Sequence, residues 1–127
     1  MPKKVLIIDD DKDLAEVYEH KFKEKGFVVK KAQNGAWGLR MIENEKFDLV
    51  ILDMAMPAMD GIEMLQRIKE KKTKEKPLVF ALSNTALEEE MAEMRKVGAD
   101  KCFIKIRVTP EEVFSQASSM LSEKNES

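Results

Sequence analysis

The 127-residue sequence predicts an α/β fold in which a five-stranded parallel sheet is doubly wound, with helices on both faces. Three observations carry this. Five apolar runs, each too short for a helix, recur along the chain. Each is followed by a stretch with apolar residues at helical spacing. The boundaries between them hold glycine, asparagine, aspartate, threonine or proline, the residues that start and stop helices.

Val5-Leu6-Ile7-Ile8 is the first run, and an unbroken apolar strand is what burial on both faces requires. From Lys12 to Lys25, Leu14, Val17, Tyr18 and Phe22 are expected to share one helical face, and Gly26 to supply the C-terminal stop. Phe27-Val28-Val29 begins the second strand, which ends near Lys31. Asn34-Gly35 is a turn signal ahead of a short helix from Ala36 to Glu43 bearing Leu39, Met41 and Ile42. Leu49-Val50-Ile51-Leu52 is a strand ending at Asp53. The loop Met-Ala-Met-Pro-Ala-Met-Asp-Gly follows, with Asp60 placed to cap the next helix, whose face carries Ile62, Leu65 and Ile68. Pro77 opens the strand Leu78 to Leu82. Thr85 is expected to cap a helix running to Lys96, with Leu87, Met91 and Met94 on one face and Gly98 at its end. Cys102-Phe103-Ile104 is the last strand. Thr109-Pro110-Glu111-Glu112 combines a cap, a first-turn proline and a capping-box carboxylate, opening a final helix through Val113, Phe114, Ala117, Met120 and Leu121. The expected division is one domain over residues 1–122 and a polar tail over 123–127.

Composition narrows the function classes. A net charge of -2 with 43% hydrophobic and 36% charged residues fits a folded, well-solvated domain with no electrostatic case for direct nucleic-acid binding. The one basic run, Lys69 to Lys76, is diluted by Glu70 and Glu75 and reads as a solvated helix end. The single Cys102 precludes an intrachain disulfide. No apolar stretch reaches the ~20 residues of a membrane span, and the N-terminal apolar run ends in aspartates rather than a cleavage site. A cytoplasmic protein without membrane insertion is the default expectation.

In a doubly wound sheet, sites form beyond the carboxyl ends of the strands. Here those ends carry Asp9-Asp10, Asp53, Ser83 and Lys105. Each has an ordinary explanation alone: aspartate and serine cap helices, and lysine is a surface residue. Together, on strands 1, 3, 4 and 5, they form one device. Crowded carboxylates suit Mg²⁺, a hard cation that prefers oxygen. A carboxylate can act as nucleophile toward phosphorus, with cations and positioned donors neutralising the transferred group. Backbone N–H groups after Asp53 and Ser83 add donors.

The motifs LIIDDD, DLVILDMAMPAMDG, VFALSN and FIKI, in this order and spacing across residues 3–121, resemble the response-regulator receiver family of two-component signalling. The resemblance implies the flavodoxin-like strand order 2-1-3-4-5, the order that the doubly wound chemotaxis receivers exemplify. It implies phosphoryl transfer to Asp53 from a sensor histidine kinase or histidine phosphotransfer protein, in a Mg²⁺-dependent reaction that switches a partner-binding surface. Asp10 matches a direct Mg²⁺ ligand, Asp9 a ligand acting mainly through water, and the Ala55 carbonyl the backbone ligand. Ser83 matches the switch hydroxyl and Lys105 the phosphoryl-contacting lysine. The chain would catalyse only its own phosphorylation and dephosphorylation. A separate downstream effector would meet the face of helix 4, strand 5 and helix 5.

Three positions depart from that pattern. Lys105 is followed by Ile106 rather than proline. Because a cis bond before a non-proline residue costs ~2.5–4 kcal/mol, a trans bond with a reshaped loop is expected. Cys102 replaces the usual switch aromatic, and Phe103 should point to the opposite face. Asn84 replaces a small residue after the switch hydroxyl, which implies an altered phosphoryl lifetime. These departures favour the alternative of a degenerate, phosphorylation-independent binding module, whereas the intact acid cluster, Ser83 and Lys105 oppose it. A dehalogenase-type phosphatase would want an aspartate at position 55, where Ala55 stands. A flavin site would want a phosphate-cradling loop where three aspartates stand.

Overall fold

A computed structural model describes residues 2–71 and 76–126. Strands and helices alternate: β1 Lys4–Ile8, α1 Lys12–Glu24, β2 Val28–Ala32, α2 Gly35–Asn44, β3 Leu49–Asp53, α3 Gly61–Glu70, β4 Leu78–Ser83, α4 Glu88–Val97, β5 Lys101–Ile104 and α5 Pro110–Glu126. All strand pairs are parallel, in the order β2-β1-β3-β4-β5. This is the flavodoxin-like arrangement.

The sheet divides the core into two layers. On one side, Leu6, Ile8, Val50 and Leu52 pack with Ile42, Leu65, Ile68 and Met94 of α2, α3 and α4. On the other, Val5, Ile7, Ile51 and Phe80 pack with Tyr18, Phe22, Val113 and Ala117 of α1 and α5. Residues alternate between the two layers along each strand because side chains of a strand point to opposite faces. Both faces being covered, the central strands are continuously apolar. The edge strand β2 shows only Ala32 fully buried and carries Lys30 and Lys31 outward, which discourages further strand pairing.

Local signals account for most helix ends. Asp11 caps α1, accepting from the N–H groups of Asp13 and Leu14. Asn34 caps α2 through Trp37 N–H, and Asp60 caps α3 through Ile62 and Glu63 N–H. Thr109 Oγ1 accepts from Glu112 N–H at 3.1 Å while Glu112 Oε1 accepts from Thr109 N–H at 3.2 Å, completing the capping box. Gly98 ends α4 at φ +136°, a region that disfavours side chains.

Two expectations are corrected. Val17 is 50% exposed, and the buried face of α1 is Ala15, Tyr18 and Phe22. At ~100° per residue that face is centred between Ala15 and Tyr18, leaving Val17 on the flank. Thr85 does not cap α4. Its Oγ1 accepts from Leu87 N–H in a local turn, and the helix starts at Glu88 with Leu87 at the cap, 63% exposed. A threonine that satisfies a turn N–H is no longer available to the helix. At the other end, α5 continues through Glu126, so the polar segment from 123 prolongs the helix backbone. Within the basic run of Lys69 to Lys76, positions 72–75 lie outside the described residues.

Candidate functional site

Strand register brings the chemistry together. Ile8 pairs with Leu52, so Asp9 emerges beside Asp53. Ser83 pairs with Ile104, so Lys105 follows immediately, its N–H bonded to Ser83 O at 2.7 Å. Among the described residues the buried polar ones are Asp9, Asp53 and Ser83, at 3%, 1% and 2% exposure, while Asp10 is exposed. One carboxylate oxygen from each of Asp9, Asp10 and Asp53 lies within 4.8 Å of the others.

Every buried carboxylate here has a donor. Lys105 Nζ is 2.9 Å from Asp53 Oδ2 and 3.7 Å from Asp9 Oδ2. Asp53 Oδ1 accepts from Ala55 N–H at 2.9 Å, and Asp9 Oδ1 from Asp11 N–H at 2.9 Å. Ser83 Oγ accepts from Thr85 N–H at 3.0 Å, leaving its own proton to be donated elsewhere. The three consecutive aspartates thus divide their work: Asp9 and Asp10 enter the cluster, whereas Asp11 caps α1.

Burial and crowding act on ionisation. Asp9 is pushed from its ordinary 3.8 up to about 6, first by burial and also by the Asp53 charge, against the opposing Asp11 N–H bond and Lys105 charge. For Lys105, burial pulls downward, but the Asp53 hydrogen bond and the charges of Asp53, Asp9 and Asp11 outweigh it and hold the ammonium above its usual value. Three carboxylates facing one ammonium leave a surplus of negative charge in an oxygen-only donor set. That is the chemistry a hard divalent cation satisfies.

A pH prediction follows. Between pH ~4 and ~6 the folded protein retains on Asp9 a proton that the unfolded chain has released. The associated stability is therefore full below 3.8 and lost as pH rises through about 6. In chelator, the urea midpoint of the native protein should fall across this window relative to Asp9→Asn. A native midpoint that instead rises across this window relative to Asp9→Asn would contradict the stated ionisation.

The positions that depart from the receiver pattern have definite settings. The Lys105–Ile106 bond is trans, and a turn follows in which Arg107 N–H and Val108 N–H both bond to Ile104 O. Ile106 is left 86% exposed, while Val108 packs against the core. Cys102 is half-buried on the α4 side of the sheet, its thiol 3.7 Å from Met91 O. Phe103 lies on the opposite face against Phe80, with ring centroids 5.4 Å apart. Asn84 is exposed beside Ser83. Sequence reasoning missed how the β3–α3 loop is held. Met56 is buried, and Met59 bridges to the start of α2, forming with Asp10 a groove of about 440 Å³. Methionines in an aperiodic loop give no spacing signal that would have revealed it.

Comparison with known proteins agrees with this geometry. The family model described as the response regulator receiver domain matches residues 5–117. The alkaline phosphatase synthesis transcriptional regulatory protein PhoP of Bacillus subtilis is 32% identical over 124 residues, covering 95% of this chain and 49% of that protein. Sporulation initiation phosphotransferase F of Bacillus subtilis is 41% identical over 69 residues, covering 54% of this chain and 56% of that protein. The chain therefore spans about half the length of these curated relatives. Among solved structures, a CheY-like response regulator receiver domain protein from Methanospirillum hungatei superposes with a TM-score of 0.88 at 27% identity, covering 99% of this chain and 98% of that one. With the strand order, the acidic cluster and the family model in agreement, the chain belongs to the response regulator receiver domain family.

Proposed function

We propose that residues 1–122 form a phosphorylation-controlled switch in which Asp53 accepts a phosphoryl group from the phosphohistidine of a sensor kinase or phosphotransfer protein. The observation that carries this is the Lys105 ammonium, 2.9 Å from Asp53 and 3.7 Å from Asp9, beside the three-carboxylate cluster. Mg²⁺, held by Asp10, Asp53 and the Ala55 carbonyl, with Asp9 acting through water, would supply positive charge to the phosphoryl oxygens.

The chain's own residues do the rest. An Asp53 oxygen attacks phosphorus as the bond to the donor imidazole nitrogen breaks, and the acyl phosphate forms on the carboxylate. Lys105, already oriented by Asp53, transfers its ion pair to a phosphoryl oxygen. Ala55 N–H, bonded to Asp53 Oδ1, restrains the carboxylate. Ser83 keeps a free hydroxyl proton for the new oxygens, which draws the β4–α4 loop inward and biases the face of α4, β5 and α5 toward a separate effector. Cytoplasmic location fits a phosphorelay, and among the described residues no helix is long and apolar enough to cross a membrane. Water would regenerate the free aspartate. Asn84, exposed beside Ser83, stands where that water would approach, so Asn84→Ala should change the decay rate about two- to tenfold, about 0.4–1.4 kcal/mol in barrier. An unchanged decay of the labelled protein would remove Asn84 from this role.

A second reading has one specific support: Cys102 cannot act as an aromatic rotamer, and Phe103 is packed on the other face. On that reading the domain binds partners without phosphorylation. The deciding experiment adds an acyl phosphate donor to the purified protein with and without Mg²⁺ and follows intact mass. Gain of one phosphoryl group only with Mg²⁺ is expected. No gain from the acyl phosphate or from a phosphohistidine protein donor would favour the binding module.

A further inference from the structure

The β3–α3 loop carries Ala55, whose N–H holds Asp53, and its far end is fastened by a thioether. Gly35, the first residue of α2, has no side chain, and Met59 occupies the space. A Cβ built on Gly35 would lie 2.2 Å from Met59 Sδ and 2.8 Å from its Cγ, with Met64 Sδ at 3.2 Å. Sulfur therefore sits where any other residue at 35 would place carbon. Met59 is half-buried and lines two open grooves, one of about 440 Å³ shared with Asp10 and Pro57, the other of about 190 Å³ shared with Leu39 and Glu63. Met56 and Met64 beside it are 5% and 3% exposed. Met59 is thus the least buried methionine of this trio.

We propose that Met59 is an oxidation site at which a hydroperoxide releases the β3–α3 loop from α2. A lone pair on Sδ takes the terminal peroxide oxygen as the O–O bond breaks. Sulfur is oxidised by two electrons, and the departing hydroxide takes the proton, so that hydrogen peroxide leaves as water. The product sulfoxide is polar and bulkier at sulfur, so it loses the close approach to Gly35 and the packing against the core on this side of the sheet. The loop's turn, closed by Met59 N–H on Met56 O at 3.3 Å, then loses its anchor on α2. Methionine sulfoxide is chemically reducible, so the release is reversible.

The test treats the full chain with hydrogen peroxide, maps sulfoxides by peptide mass, and measures amide hydrogen exchange over residues 54–61. Sulfoxide should appear at Met59 before Met56, Met64 or Met94. Exchange over the loop should become about tenfold faster in the oxidised fraction and return after treatment with methionine sulfoxide reductase. Met59→Leu, which keeps an apolar side chain without sulfur, should show no acceleration under peroxide. Gly35→Ala should accelerate exchange without peroxide, by displacing the same side chain. Faster oxidation of Met56 or Met64, unchanged exchange with Met59 oxidised, or equal loosening in Met59→Leu would each overturn the proposal. None of these readouts involves phosphoryl uptake, so failure here leaves the role of Asp53 standing, and the reverse.

Discussion

Asp53→Asn is expected to reduce phosphoryl uptake by more than about 10³-fold while preserving the fold. The amide has the size of the carboxylate and keeps an oxygen for the Ala55 N–H, but its oxygen is a poor nucleophile toward phosphorus. Asp9 is badly placed to take over. Its Oδ1 is held by Asp11 N–H, and Lys105 Nζ stands 3.7 Å from it. Asp10 is exposed, whereas the Lys105 ammonium pairs with Asp53 and Asp9. Stability should change little, because the substitution removes one partner of a buried ion pair and one of three mutually repelling carboxylates. Intact mass after donor and Mg²⁺ measures the first effect, and urea unfolding the second. Uptake near the native level in Asp53→Asn would remove Asp53 from its role.

Phe22→Ala should be the most damaging single truncation on the α1–α5 side, costing about 3–5 kcal/mol in urea unfolding. Phe22 is fully buried. Its ring meets Phe27 at 5.0 Å and Phe114 at 5.7 Å, both edge-on, so one side chain joins α1, the start of β2 and α5. Edge-to-face pairs contribute about 0.5–1.5 kcal/mol beyond area burial, and both are lost. For a domain whose whole stability is about 5–15 kcal/mol, that leaves a marginal fold. A cost under about 1.5 kcal/mol would mean that α5 collapses into the space, and the aromatic trio would not be the tie between these elements.

The parts of this molecule that the sequence made legible are those where one physical demand dominates. β1, β3 and β4 must be apolar on both faces, so they stand out as unbroken runs. Polar residues at the ends of such strands cannot be core, and Asp9, Asp53, Ser83 and Lys105 do meet at one end of the sheet. The caps at Asp60 and Thr109 were visible because each shortens a list of unpaired helix N–H groups. Legibility failed where demands compete. Thr85 has the better capping side chain, yet a local turn uses it and α4 begins after Leu87. Ala15 is too small to announce a buried face, so Val17 drew the face of α1 toward itself. The seating of Met59 on Gly35 depends on two segments separated by 24 positions, and no local pattern encodes it. The trans Lys105–Ile106 bond was readable from the missing proline, whereas the high exposure of Ile106 was not.

The most direct test of the central claim is to locate the phosphoryl group. The native chain would be phosphorylated with an acyl phosphate and Mg²⁺, the acyl phosphate trapped by hydride reduction, and the peptides sequenced by mass. The label is expected on Asp53 alone, in the peptide that contains Leu49–Asp53 and the loop after it. Label on Asp9, Asp10 or a residue outside the cluster would contradict the account.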